Sequence, residues 1–189
     1  MAHFKLMVGL TLVASLGLSG GAGADCDPWP PGVQPVARSG QALVLAGDFN
    51  GDGLEDRLEW VQVAAGTQLP QGLVVANPWD RQPARAGRAA LPVAFAIRHG
   101  TAAGGPCRRW LLAHPNLLAS PLWRSYLAGE ENTPPLSLVR SGSKEHQAWR
   151  RRVKTLRGDG IVMGSEAGID LLLYWTGSAY GVFWPPEEP

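Results

Sequence analysis

Short apolar runs separated by turn residues fill most of the chain. These runs are four to seven residues long and rich in Val, Leu and Trp, and most end near Gly or Pro, so they predict β-strands rather than helices. The predicted strands are 41–46, 57–63, 72–76, 93–98, 109–113, 136–140, 160–163, 169–175 and 180–184. Two other stretches, 116–127 and 144–153, predict short helices, and Ser143 is the expected N-cap of the second. The pattern predicts a mainly β domain of antiparallel sheet with one or two short helices.

The last two predicted strands form the clearest element. The apolar residues 171–175 are followed by Thr176-Gly177-Ser178 and then by a second run in which Tyr180, Val182 and Trp184 alternate to one face. A glycine in so short a connection favours a β-hairpin. No repeat of 20–50 residues is visible, so the chain is not expected to form a complete propeller or a solenoid.

The first 24 residues have the three parts of a secretory signal. Lys5 gives a positive start, 6–18 is apolar, and 22–24 consists of small residues. We expect cleavage after Ala24 and export to the periplasm or the medium. Asp25 stands where a lipoprotein signal needs a small residue before the cysteine, so no lipid anchor is expected. The apolar run is shorter than the roughly 20 residues of a membrane span, and no later run is longer.

The exported chain divides into a lead-in at 25–40, rich in Pro and Gly, and a single β-rich domain at 41–189. The whole chain has 17 Lys and Arg against 16 Asp and Glu, and the leader holds one cation, Lys5. Because these charges nearly cancel, we do not expect the protein to bind nucleic acid through its overall charge. Cys26 and Cys107 both follow the leader, and an oxidising compartment favours a disulfide between them over two unpaired thiols.

The most informative stretch is the loop at 48–56. Side-chain oxygens recur at every second residue from 48 to 52 and again at 56, and Gly53 permits a sharp bend. Carboxylate, amide and backbone carbonyl oxygens are the ligands that calcium prefers. Without a cation, three carboxylates this close would repel one another. The loop therefore predicts a structural calcium site, with the side chains of Asp48, Asn50, Asp52 and Asp56 and the carbonyl of Leu54 as ligands.

Two other interpretations of this loop remain open. Glu59 completes the spacing of an EF-hand loop, but the flanking residues predict strands where an EF-hand has helices. The loop could also be an acidic turn that binds no metal.

The stretch from Gly47 to Asp56 resembles the calcium loops of FG-GAP and VCBS-type repeats, which lead into a β-strand. Residues 173–180 are similar to the C-terminal hairpin of small exported bacterial proteins that carry one such loop, although Thr176 stands for the usual acidic turn residue. The resemblance implies a calcium site and export, but it implies no activity. A single loop does not imply a seven-bladed propeller.

No set of residues in the sequence predicts catalysis. The histidines are scattered without metal-ligand spacing, so zinc hydrolysis is unsupported, and Arg157-Gly158-Asp159 is interpreted as a turn rather than an adhesion tripeptide. A basic run at 150–157 is either a solvated face or a contact for an anionic surface. The eight tryptophans, of which several must be core residues, are Trp29, Trp60, Trp79, Trp110, Trp123, Trp149, Trp175 and Trp184.

We therefore expect a non-enzymatic, calcium-stabilised exported domain that binds an envelope or extracellular partner. A hydrolase acting on envelope polymer is one alternative, and it would need two carboxylates about 5–10 Å apart. A carbohydrate-binding module is the other, and it would need a row of exposed tryptophans. The loose carboxylate candidates for the hydrolase are Glu130, Glu131, Glu145 and Glu166.

Overall fold

A computed structural model describes residues 28–69, 73–76, 78, 94–102, 105–113, 121–164, 168 and 170–186. The strands are β1 (Val33–Pro35), β2 (Ala37–Arg38), β3 (Gln41–Ala42), β4 (Val44–Gly47), β5 (Asp56–Val63), β6 (Leu73–Ala76), β7 (Ala94–Arg98), β8 (Arg109–Ala113), β9 (Leu136–Val139), β10 (Gly160–Met163), β11 (Leu171–Trp175) and β12 (Tyr180–Phe183). The helices are α1 (Pro121–Ala128) and α2 (Lys144–Arg152). The predicted mainly β fold is confirmed, and its sheets are open.

The first sheet is built around β5, the longest strand. Its order is β1-β5-β7-β8-β6, and β4 also pairs with β5. β1 pairs with the end of β5 and β4 with its start, so both lie along the edge opposite β7. The small β2–β3 hairpin connects β1 to β4. β6 pairs with β8 in parallel. The sequence predicts antiparallel sheet, so this pair is an exception to the prediction.

The second sheet is an antiparallel meander in the order β12-β11-β10-β9. The predicted C-terminal hairpin is present as β11–β12, with Trp175 opposite Tyr180. Gly177 in its connection has φ 110°, a conformation that glycine adopts without a steric cost. The N–H of Thr176 donates to the carbonyl of Ala179 and closes the turn.

The main core lies between the two sheets. Strand alternation turns one face of each sheet inward. The first sheet contributes Leu58, Trp60, Phe95, Ile97, Trp110 and Leu112, and the second contributes Ile161, Met163, Leu171, Leu173, Trp175 and Tyr180. Trp123 of α1 and Phe49 of the 48–56 loop join the same cluster. The loop therefore has a hydrophobic anchor inside the core.

Helix α2 packs against the outer face of the second sheet. Trp149 joins a cluster with Val153, Leu172 and Tyr174. Ser143 is the N-cap, as predicted, because its side chain accepts the N–H of His146. α1 covers Pro121–Ala128 within the predicted stretch 116–127 and one residue beyond it, and residues 116–120 lie outside the described part.

The Pro/Gly-rich lead-in takes part in the sheet. Residues 33–35 form β1 against β5, and 37–38 form β2. The predicted leader at 1–24 lies outside the described residues. No helix within the described ranges is long and apolar enough to cross a membrane.

Candidate functional site

The loop at 48–56 joins β4 to β5, and the two strands pair up to Gly47 and Asp56 at its base. The backbone winds around the carboxylate of Asp48. One oxygen of Asp48 accepts the N–H groups of Gly51 and Asp52 at 2.8 and 3.0 Å, and the other accepts the N–H of Gly53 at 2.9 Å. Gly51 and Gly53 have φ values of 77° and 85°, so these turns require residues that tolerate the left-handed region.

Asn50 and Asp52 continue this arrangement on the exposed side of the loop. Asn50 Oδ1 accepts the N–H of Asp52 at 2.9 Å, and Asn50 Nδ2 donates to Asp52 Oδ2 at 2.8 Å. Asp52 Oδ1 accepts the N–H of Leu54 at 2.8 Å. The structure therefore brings the side chains of Asp48, Asn50 and Asp52 together on one loop.

Asp56 is placed differently from the other predicted ligands. It is fully buried; its Oδ2 accepts the N–H groups of Phe49 and Asn50, and its Oδ1 accepts the N–H of Gly100. Burial raises the pKa of Asp56 to about 6, the hydrogen bonds oppose that rise, and the charge of Asp52 adds to it. Through these hydrogen bonds Asp56, at the end of the loop, links the start of the loop to Gly100 in the segment that follows β7.

Ion pairs with other described residues do not balance the charge of the loop. Among the residues that the structure describes, no Lys or Arg pairs with Asp48, Asp52 or Asp56; the ion pairs there are Arg57–Glu59, Arg98–Glu59 and Arg140–Asp159. Within the same residues, no three His, Cys, Asp or Glu side chains converge as they would around a bound metal. The oxygen chemistry of the loop suits calcium. Most of its carboxylate oxygens already accept N–H groups.

His99 joins the loop to the second sheet, which the sequence did not predict. The amide of Asn50 is oriented by its two bonds to Asp52, so its Nδ2 faces His99 Nδ1 at 3.4 Å. Nδ1 is then the acceptor, and Nε2–H donates to the hydroxyl of Tyr180 at 2.8 Å. Burial lowers the pKa of His99 to about 4, so the ring is neutral at pH 7.

The ring of His99 sits in an aromatic cluster. Trp175 meets it edge to face at 5.0 Å, and Tyr180 and Trp110 lie at 5.8 and 6.4 Å. Burial also raises the pKa of Tyr180 well above its usual value. These buried groups form an aromatic platform under the loop, and the hydrogen bonds from Asn50 through His99 to Tyr180 cross it.

A second contact ties the loop to the segment 157–159, which leads into β10. The N–H of Asp159 donates to the carbonyl of Asp48 at 2.7 Å, and the N–H of Asp48 donates back to Asp159 Oδ2 at 3.1 Å. Gly158 comes so close that a Cβ there would overlap the carbonyl oxygens of Asp48 and Phe49. Only glycine allows this approach.

Asp159 and His146 complete the contact from the side of α2. The other oxygen of Asp159 accepts the N–H of Ser141 at 2.7 Å, and His146 Nε2 lies 3.0 Å from the carbonyl of Gly158. Both side chains are buried. The Arg157-Gly158-Asp159 tripeptide is thus part of a packed turn between elements, as the sequence interpretation held.

The remaining candidate residues are not gathered into a site among the described residues. Glu130, Glu131 and Glu145 are exposed, and Glu166 lies outside the described part. Trp184 is the exposed tryptophan among those described; Trp29 and Trp149 are half-buried, and Trp79 lies outside the described residues. Cys107 is not a free cysteine. Cys26 lies outside the described residues, so the Cys26–Cys107 disulfide stays a prediction.

Comparisons of the chain with protein-family models, with curated proteins and with solved structures find no match.

Proposed function

We propose that the protein is an exported, non-enzymatic interaction domain whose fold is stabilised by calcium at the 48–56 loop. In this proposal Asp48, Asn50 and Asp52 hold the ion through their side chains and Leu54 through its carbonyl, as the sequence predicts. Asp56 completes the predicted set from the base of the loop. The cation supplies positive charge and joins the turns of the loop; it takes no part in a reaction.

The observation that carries the proposal is the concentration of carboxylate and amide oxygens in one loop, with no ion pair among the described residues to balance their charge. Asp48 and Asp52 face the same turn, with the amide of Asn50 between them and no basic side chain paired to them among the described residues. A carboxylate oxygen can accept more than one partner, so an oxygen that accepts an N–H group can still bind a cation. A hard cation with six to eight oxygen ligands is the group that this chemistry suits.

The position of the loop supports a structural role for the ion. The loop contacts the first sheet through Asp56, the second sheet through the Asn50–His99–Tyr180 contacts, and the 157–159 turn through Asp48. An ion that rigidifies this loop would therefore stabilise the contact between both sheets. A ligand that binds only the folded state raises the free energy of unfolding.

The interaction role rests on export and on the surface of the domain. The carbohydrate-binding alternative needs a row of exposed tryptophans and is therefore disfavoured. Of the seven described tryptophans, four are core residues, two are half-buried and one, Trp184, is exposed. The hydrolase alternative has no supporting observation in the described residues. An envelope partner is the remaining expectation.

A thermal melt in calcium and in excess chelator tests the calcium site. At a calcium concentration about 100 times Kd, binding adds about 2.7 kcal/mol to the free energy of unfolding, so Tm should rise by about 5–10 °C. In Asp52→Ala that rise should fall to less than half.

The matched control is Glu55→Ala, which removes an exposed acid of the same loop that is outside the predicted ligand set. It should keep the calcium-dependent rise of the parent. An equal loss of the rise in both variants would mean that general acidity, and not a defined site, binds the ion. If calcium did not raise the Tm of the parent, the loop would be an acidic turn that binds no metal.

A further inference from the structure

The 48–56 loop contains the one asparagine of the chain that is followed by glycine. A side-chain amide lies within reach of the next backbone nitrogen, whose attack on the amide carbon closes a five-membered imide ring. Glycine has no Cβ to hinder that nitrogen. Asn50-Gly51 is therefore the dipeptide at which this chain reacts most readily with itself. The other three asparagines are followed by Pro78, Leu117 and Thr133.

The contacts of the loop favour this attack. The N–H of Gly51, which must lose its proton, donates to Asp48 Oδ1 at 2.8 Å, and a carboxylate in that position acts as a general base. At the carbon under attack, Asn50 Oδ1 accepts the N–H of Asp52 at 2.9 Å. A donor there stabilises the negative charge that develops on this oxygen. The loop thus supplies a base at the nucleophile and a donor at the carbonyl oxygen.

We propose that Asn50 converts itself to aspartate and isoaspartate in the folded chain, with Asp48 as the proton acceptor. The nitrogen of Gly51 bonds to Cγ of Asn50, the Cγ–Nδ2 bond breaks, and ammonia leaves with the proton taken from Gly51. Water then opens the imide. Cleavage of the new N–Cγ bond gives aspartate, and cleavage of the original peptide bond gives isoaspartate. One water is consumed and one ammonia released, without any change of oxidation state.

The aromatic platform under the loop accommodates the aspartate product. With asparagine at position 50, Nδ2–H faces His99 Nδ1, and His99 Nε2–H donates to the hydroxyl of Tyr180. A carboxylate only accepts, so this direction of donation no longer fits. A neutral imidazole carries its proton on either nitrogen, however, and a phenol hydroxyl both donates and accepts. The chain of hydrogen bonds therefore reverses: Tyr180 donates to Nε2, and Nδ1–H donates to the new carboxylate.

The conversion to aspartate changes the charge of the predicted calcium ligands. Asp48, Asp52 and Asp56 already contribute carboxylates, and the product adds one between the first two. The affinity of an oxygen-lined loop for calcium depends on the charge of its ligands, so Asn50→Asp should lower the Kd for calcium severalfold. This consequence rests on the calcium site proposed above, whereas the conversion itself does not.

Peptide mapping by mass spectrometry tests the conversion on residues 25–189, incubated at neutral pH in chelator so that no cation occupies Asp48. Aspartate and isoaspartate should accumulate at Asn50 at least about tenfold faster than at Asn132, which is exposed and precedes Thr133. Asp48→Asn keeps an oxygen for the N–H groups but removes the base, so it should slow the conversion about tenfold or more. The matched control is Glu55→Gln, an exposed acid of the same loop, which should keep the parent's rate.

Two results would overturn the proposal. An undiminished rate in Asp48→Asn would show that the dipeptide reacts without help from the loop. The parent unfolded in urea is a reference that needs no variant. Slower conversion in the folded chain than in urea would mean that the contacts of the loop protect Asn50. A circular-dichroism melt shows whether Asp48→Asn is folded, and if it is not, the comparison with urea decides.

The tautomer of His99 tests how the platform accepts the product. In ¹⁵N NMR at neutral pH the parent should carry the ring proton on Nε2, and Asn50→Asp should carry it on Nδ1. An unchanged tautomer would contradict the reversal. Calcium keeps this proposal apart from the calcium site. Conversion at Asn50 in a parent whose Tm does not rise with calcium would support the conversion alone, and a rise of Tm without conversion would overturn it and leave the calcium site standing.

Discussion

Asp56 and Asp52 belong to one predicted ligand set, yet their surroundings give them different effects on stability. Asp56 is fully buried and accepts three backbone N–H groups, whereas Asp52 is exposed. Asp56→Ala leaves the amides of Phe49, Asn50 and Gly100 without their acceptor. Since an unsatisfied buried donor costs about 1–3 kcal/mol, we expect a loss of at least about 2 kcal/mol even in chelator. Urea denaturation measures it.

Asp52→Ala is the comparison for this prediction. Its carboxylate holds the exposed N–H of Leu54, so in chelator the variant should lose less than about 1 kcal/mol. Equal losses in the two variants would contradict the distinct role of Asp56. The buried carboxylate would then be no more than another member of an acidic cluster.

The contact between the loop and the turn before β10 depends on a glycine. A Cβ at Gly158 would overlap backbone oxygens of Asp48 and Phe49, which cannot move without displacing the loop. Gly158→Ala should therefore cost about 1–3 kcal/mol and lower Tm by several degrees. The melt is done in chelator, so that the change reports packing and not calcium.

Gly164→Ala is the matched control, because a Cβ there would meet Leu122 at an ordinary 3.4 Å and the φ of Gly164 is not positive. It should change Tm by no more than about 2 °C. If Gly158→Ala were equally mild, the loop and the turn would be free to separate. The two sheets would then be joined by their shared core alone.

The strands and α2 could be predicted because their signals are local. The alternation at Tyr180 and Val182 and the cap at Ser143 each depend on neighbouring residues. The partners of the loop are not local: His99 lies 49 residues from Asn50, and Asp159 lies 111 residues from Asp48. No spacing in the sequence marks such pairs. β1 was not predicted either, because Pro35 and its neighbours have the composition of a loop, and pairing with β5 decides their conformation.

Two buried titratable groups connect the stability of the whole domain to pH in opposite directions. The pKa of His99 is about 4 against an ordinary 6.5, so below pH 6.5 the unfolded chain binds a proton that the folded chain does not. That lowers stability as pH falls from 6.5 to 4. The pKa of Asp56 is about 6 against 3.8, so the folded chain binds the extra proton, which raises stability as pH falls from 6 to 3.8.

Single variants should separate these two effects, which oppose each other in the parent. Relative to the parent, His99→Gln should gain stability as pH falls from 6.5 to 4, and Asp56→Asn should lose it from 6 to 4. Each change is on the order of 3 kcal/mol, since a pKa unit corresponds to about 1.4 kcal/mol. Urea denaturation in chelator across this range measures both differences, and other groups cancel because they are common to parent and variant. The stability differences of the two variants from the parent should therefore change with pH in opposite directions. If they changed in the same direction, or did not change with pH, water would reach the platform under the loop and burial would not displace the pKa of either group.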